Sequence, residues 1–200
     1  MNTPIDVSKV VLRTERLVLR PWRQSDLQDL YSIASMDGVG QMCGWHPHTR
    51  IDESQAMLDK LISGKTAFAL ERNGHVIGML GIPRYNEEAF PQFDGLQCRE
   101  LSFILSKNEW GQGLMPEAVR EVIRYLFEDI GLDVIFCGHF VFNRRSARLQ
   151  EKLGFHLCGF TKYQTRMGTV EDNRVNFMTR DEWLERRALE IAVSQRSHHL

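Results

Sequence analysis

Residues 98–118, Cys-Arg-Glu-Leu-Ser-Phe-Ile-Leu-Ser-Lys-Asn-Glu-Trp-Gly-Gln-Gly-Leu-Met-Pro-Glu-Ala, constrain the fold more than any other stretch. Cys98–Leu105 reads as a strand, and Ser106–Gly113 as a polar turn holding Gly111 and Gly113. Pro116 suits the first turn of a helix, whose apolar stripe is Val119, Val122, Ile123, Leu126 and Phe127. A strand that feeds a Gly-x-Gly turn and then a helix leaves backbone amides pointing at the helix start. There the helix dipole is positive, so the junction can hold an anion. Glycine lets a bulky pyrophosphate approach the main chain.

The flanking pattern decides between phosphate-binding folds. Upstream, Arg16–Arg20 alternates like a half-buried strand, and Ser25–Gln28 opens a helix carrying Leu27, Leu30, Tyr31 and Ala34. After a loop from Asp37 to Thr49, Asp52 and Gln55 open a second helix that Gly64 stops. Asn73-Gly74 joins strands 66–72 and 75–82 as a hairpin. Downstream, Gly131 ends the helix and Val134–Val141 is an apolar strand. Asn143 caps a helix closed by Gly154, strands follow at 155–160 and 170–178, and Thr179 with Glu182 caps a terminal helix. A dinucleotide fingerprint would place glycine at Pro116 and would join the first strand and helix, although Asp133 stands where a ribose-binding acid belongs. A P-loop at Gly64-Lys65-Thr66 would need glycine at Asp59 and the reverse element order. Both readings fail. The pattern is one α+β domain over residues 1–200, with a core at about 11–183 and a terminal helix and loose tail over 184–200, the looseness beginning at Ser194.

Composition narrows the partners. At 42% hydrophobic residues, the 200-residue chain can bury a sizeable core. Twenty-five Lys and Arg against 26 Asp and Glu leave no basic excess for displacing counterions from nucleic acid. No apolar run approaches a membrane span, and the first residues lack a leader pattern. Cys43, Cys98, Cys137 and Cys158 are widely spaced and read as reduced thiols of a cytoplasmic protein. Cys43, His46 and His48 lie close together, but Pro47 separates the histidines and no fourth ligand is near; no metal is expected.

Three segments, Trp110-Gly-Gln-Gly-Leu-Met-Pro-Glu-Ala118, Asn143-Arg-Arg-Ser146 and Glu151-Lys-Leu-Gly-Phe155, carry a resemblance to the GNAT N-acetyltransferase superfamily, and within it to the RimJ/RimL type that acts on ribosomal-protein N-termini. Leu12–Arg20 and Gly44-Trp45 extend it over nearly all of 11–183. The resemblance implies a mixed, mostly antiparallel sheet, splayed between its fourth and fifth strands (98–105 and 134–141), with flanking helices and acetyl-CoA in the splay. Phe103 and Leu105 would offer main-chain groups to pantetheine, and Gly111, Gln112, Gly113, Leu114 and Met115 amides to the pyrophosphate. Asn143 would bond the coenzyme across the splay. The motif departs from the family at Asn108, where glutamine or arginine is common.

By the same resemblance, Glu100 is the base that deprotonates an amine, and Ser146, also against the coenzyme, is the acid that protonates the departing thiolate. The tyrosine that many relatives carry in the penultimate strand aligns with Phe177, leaving Tyr163 and Tyr85 as weaker substitutes. Trp45, His46 and Tyr85 are expected to line the acceptor pocket. Arg144, Arg145 and Arg148 either reach the coenzyme's 3′-phosphate or are solvated. The Pro83–Leu96 loop, with Glu87, Glu88 and Asp94, would attract a cationic acceptor. The expected activity is acetyl transfer from acetyl-CoA to a protein N-terminal α-amine. The alternatives are a small amine (aminoglycoside, polyamine or amino acid) and a non-catalytic acyl-CoA sensor. The oligomeric state is left open by the sequence; relatives often form dimers, so a homodimer is one assembly the resemblance implies.

Overall fold

The computed structural model describes residues 1–197, with side chains to residue 192. Eight strands form one sheet in the order β1-β2-β3-β4-β5-β6-β8-β7. They are β1 Leu12–Arg13, β2 Val18–Pro21, β3 Ala67–Arg72, β4 His75–Gly81, β5 Cys98–Leu105, β6 Val134–Phe140, β7 His156–Gln164 and β8 Val170–Thr179. The helices are α1 Leu27–Ala34, α2 Ile51–Gly64, α3 Leu114–Arg124, α4 Arg144–Leu153 and α5 Arg180–Ser197. β1 is too short to show a sequence period, so the splayed strands expected as fourth and fifth are β5 and β6.

Local chemistry sets these boundaries. Asn73 and Gly74 both adopt positive φ, 53° and 83°, as the two-residue hairpin turn requires. The Asn143 carboxamide accepts from the Ser146 amide at 3.2 Å, capping α4. Thr179 and Glu182 bond each other's amides at 2.8 and 3.3 Å, starting α5. Two helix starts differ from expectation. Leu27, not Ser25, begins α1, because the Asp26 carboxylate accepts from the Arg23 amide and grips the buried Arg20 guanidinium through two 2.8 Å bonds. At α2 it is Glu53 that accepts from the amides of Thr49 and Arg50, at 2.7 and 2.9 Å. The helical backbone of α5 runs through 194–197 of the tail expected to be loose, and 198–200 lie outside the described residues.

Alternation along the strands divides the core between two faces. Phe68, Leu70, Leu101 and Ile135 pack with α3 and with Trp183 of α5. Ala67, Ala69 and Ile104 pack on the opposite face against α1 and α2. Farther along that second face, Tyr85 and Phe90 of the 83–96 loop cover Cys98, Phe136 and Val175. Tyr85 stacks on Phe136 with ring centres 4.8 Å apart.

Among the described residues one strand pair is parallel. β5 bonds β6 from Cys98↔Val134 to Leu101↔Cys137 and no farther. Beyond that point β5 pairs with β4, from Ser102↔Gly81 to Leu105↔Gly78, while β6 continues along β8. The sheet therefore opens after Leu101 and Cys137, leaving main-chain groups of both strands facing a gap.

Candidate active site

The gap is a cleft of about 580 Å³. Leu101–Leu105 and Gly138–Phe140 form its walls, the start of α3 one end, and Asn143, Ser146 and Leu149 of α4 a side. Gly38, Val39, Met42 and Cys43 close it from the second face. At its end, Gly111 and Gly113 hold φ of 79° and 76°, a region that disfavours any side chain. Gly113 is the N-cap of α3 and exposes the first-turn amides. Trp110 fixes the turn from below: its indole N–H donates to the Leu105 carbonyl at 3.0 Å, and the Arg145 guanidinium lies 4.1 Å over its ring. Arg145, Arg148 and Lys152 line the cleft as a cationic margin, whereas Arg144 does not reach it.

Ser146 belongs to a buried chain of amides. Gln150 Nε2 donates to Ser146 Oγ at 2.9 Å, and Gln150 Oε1 accepts from Asn176 at 2.7 Å. Because Nε2 can only donate, the serine hydrogen is directed elsewhere, and the hydroxyl borders the cleft. Gln150 and Asn176 were missed in the sequence. The i, i+4 spacing from Ser146 to Gln150 was a signal for the first; nothing local marked the second.

Glu100 sits at the neck between the cleft and a smaller recess of about 240 Å³ on the second face, and it lines both. A Cβ at Gly138 would stand 3.1 Å from the Glu100 carboxylate oxygen, so the glycine makes room for it. Burial pushes the Glu100 carboxyl up to about 7, against a hydrogen bond from the Gly138 backbone that pulls it down.

The site combines a splayed parallel pair, a glycine-built turn at a helix start and a carboxyl raised to about 7. The acetyltransferase (GNAT) domain family matches residues 16–156. This chain belongs to that family. An FsC-acetyl coenzyme A-N(2)-transacetylase of Aspergillus fumigatus is 35% identical over 88 residues, 42% of this chain and 37% of its own length. A probable N-acetyltransferase of Bacillus subtilis is 37% identical over 81 residues, 40% of this chain and 45% of its own length. The chain thus spans less than half of either relative. A solved spermidine N-acetyltransferase from Vibrio cholerae, in complex with CoA and spermine, shares the fold with TM-score 0.69 at 19% identity, covering 86% of this chain and 99% of that one.

The GNAT cleft here fits acetyl-CoA by an observation of its own. Buried His139 donates from Nδ1 to the Phe140 carbonyl at 2.9 Å, and its Nε2 has no hydrogen-bond partner among the described residues. His139 lines the cleft, where an amide N–H of pantetheine would satisfy that nitrogen. Phe103, Leu105, Gly111, Gly113, Leu114, Met115, Asn143 and Ser146 also line it. Gln112 does not: its side chain bonds Glu109, Arg72 and the Asn108 carbonyl, and its own carbonyl accepts from Arg16.

The acceptor side departs further from expectation. Trp45 packs its ring on Gly40 and lies 5.1 Å from the His48 ring, and exposed His46 lines neither cavity. Met42 and Cys43 of the same loop take the place expected of them. Tyr85 borders the recess as a buried core ring whose hydroxyl accepts from the Met1 amino group at 3.0 Å. Glu87 is occupied by the Asn2 amide and the Met1 amine, and Glu88 and Asp94 line neither cavity. The acidic lure expected of the 83–96 loop is therefore absent from the recess, among the described residues. Tyr163 borders both cavities. Among the described residues no three His, Cys, Asp or Glu side chains gather as a metal site, all four cysteines are free thiols, and no helix is long and apolar enough to cross a membrane.

Proposed function

We propose that this GNAT enzyme transfers the acetyl group directly, within a ternary complex, to the α-amine of an acceptor that enters by the recess. The acceptor class of the RimJ/RimL type, a protein N-terminus, is the first reading, supported by Asn143-Arg-Arg-Ser146 and Glu151-Lys-Leu-Gly-Phe155. The observation that carries the transfer reading is the place of Glu100, between coenzyme cleft and recess, with its carboxyl raised to about 7. An α-amine has a pKa of about 7.7–8.0 against about 10.4 for lysine, so such a base suffices near neutrality.

Glu100 takes one proton from the acceptor ammonium. The freed nitrogen pair forms the C–N bond at the thioester carbon, the C–S bond breaks, and its electron pair leaves on sulfur. Ser146 gives its hydroxyl proton to the thiolate, and the second nitrogen proton restores it. Main-chain amides at the splay stabilise charge on the carbonyl oxygen. Initial rates with both substrates varied test the scheme. Intersecting lines and no acetylated enzyme by mass spectrometry are expected; parallel lines with an acetyl-enzyme overturn direct transfer, and coenzyme binding without any turnover makes the domain a sensor.

A further inference from the structure

Resting on the transfer reading above, we infer that the acceptor is a primary amine carrying a carboxylate, which the recess selects through Arg84. Three charged side chains line the recess: Arg84, Lys162 and Glu100. Lys162 is neutralised by Asp172 at 2.5 Å. Glu100 is the group that receives the amine's proton. Arg84 is left: among the described residues it has neither an ion pair nor a side-chain hydrogen bond, and its side chain is exposed at the recess margin.

A second guanidinium lies near Arg84, outside the recess lining. Buried Arg99 donates to the Thr3 carbonyl at 2.6 Å, and among the described residues it too pairs with no carboxylate. Burial first, and then the charge of nearby Arg84, hold the Arg99 guanidinium below its usual value. Arg84, with no carboxylate partner among the described residues, repels a further cation and favours an anion, and a guanidinium presents the planar fork that matches a carboxylate. A recess of about 240 Å³ with Tyr85, Phe90 and Phe136 in its wall holds a group the size of one amino acid. Polyamines and aminoglycosides, with several cations and no anion, meet the wrong charge here. The carboxylate has two sources, a free amino acid and an acidic first residue of a peptide.

The test uses the full chain, acetyl-CoA and thiol release to measure kcat/KM. The acceptors are free α-amino acids, their carboxamides, peptides with amidated C-termini beginning in Glu or in Gln, spermidine and an aminoglycoside. The carboxylate member of each pair is expected to be at least about tenfold better than its neutral twin. In Arg84→Gln the ratio should fall towards one through KM, with the thermal shift given by CoA unchanged. Preference for free acids assigns the anion to an amino acid, and preference for the Glu peptide assigns it to a side chain. Equal rates for acid and amide, preference for a polycation, or a ratio that survives Arg84→Gln overturns the inference while leaving acetyl transfer intact. If CoA binds and no amine in the panel is acetylated, the transfer reading fails and the inference falls with it.

Discussion

At the scale of the residue, Glu100 and Ser146 are separable by experiment. Glu100→Gln should lower kcat by about 10²-fold or more, the usual range for losing a general base, with CoA affinity retained. The charged form of Glu100 grows as pH rises through about 7, so wild-type kcat/KM should climb across pH 6–8, and the variant should lack that limb. Stability runs the other way. The native carboxyl holds its proton more tightly than the unfolded chain, whose value is near 4.5. Its contribution is whole below about 4.5 and is lost as pH rises through 7, a decline that Glu100→Gln should flatten in thermal melts. Ser146→Ala should reduce turnover more than coenzyme affinity, and an unchanged rate would remove Ser146 from the mechanism. His139→Phe should weaken CoA binding measured by titration while leaving acceptor KM alone; full affinity would show that Nε2 has no coenzyme partner.

Elements carry the next prediction. The Gly111–Gly113 turn borders the cleft with φ values that disfavour side chains. Gly113→Glu combines backbone strain with a negative charge at the anion cradle and should abolish CoA binding in titration; retained binding would move the pyrophosphate elsewhere. The hairpin, the Asn143 cap and β5 were legible in sequence because each is set by residues within a turn of one another. The start of α1 was not. Its cap is Asp26, whose carboxylate is held by Arg20 from a neighbouring strand, a contact between elements that no local pattern encodes.

For the whole molecule, that same pair joins β2 to α1 inside the protein, and Glu71 of β3 also bonds Arg20. Asp26→Ala would leave a buried guanidinium short of its main partner and should cost about 3–5 kcal/mol in denaturant melts. Coenzyme bound in the gap between β5 and β6 would add to stability separately. At about a hundred times its dissociation constant, acetyl-CoA or CoA should add roughly 2.7 kcal/mol to the folded state, a shift of several degrees that NADH and ATP should not reproduce.

The amino-acid sequence by itself determined the α+β pattern, the Gly-x-Gly turn at a helix start and the membership of the acetyltransferase family, because turn conformation, capping and strand period are short-range properties. It also placed Glu100 on the right strand. Only the tertiary structure decided what faces what. The strand pairing that ends at Leu101 and Cys137 opens the cleft, Gly138 from the adjoining strand makes room for the Glu100 carboxylate, and Gln150 and Asn176 orient Ser146. Trp45 and His46 were drawn away by packing and solvent, and Arg84 rather than the loop's carboxylates faces the recess. Side-chain direction in an irregular loop depends on partners distant in sequence, and there the local signal ends.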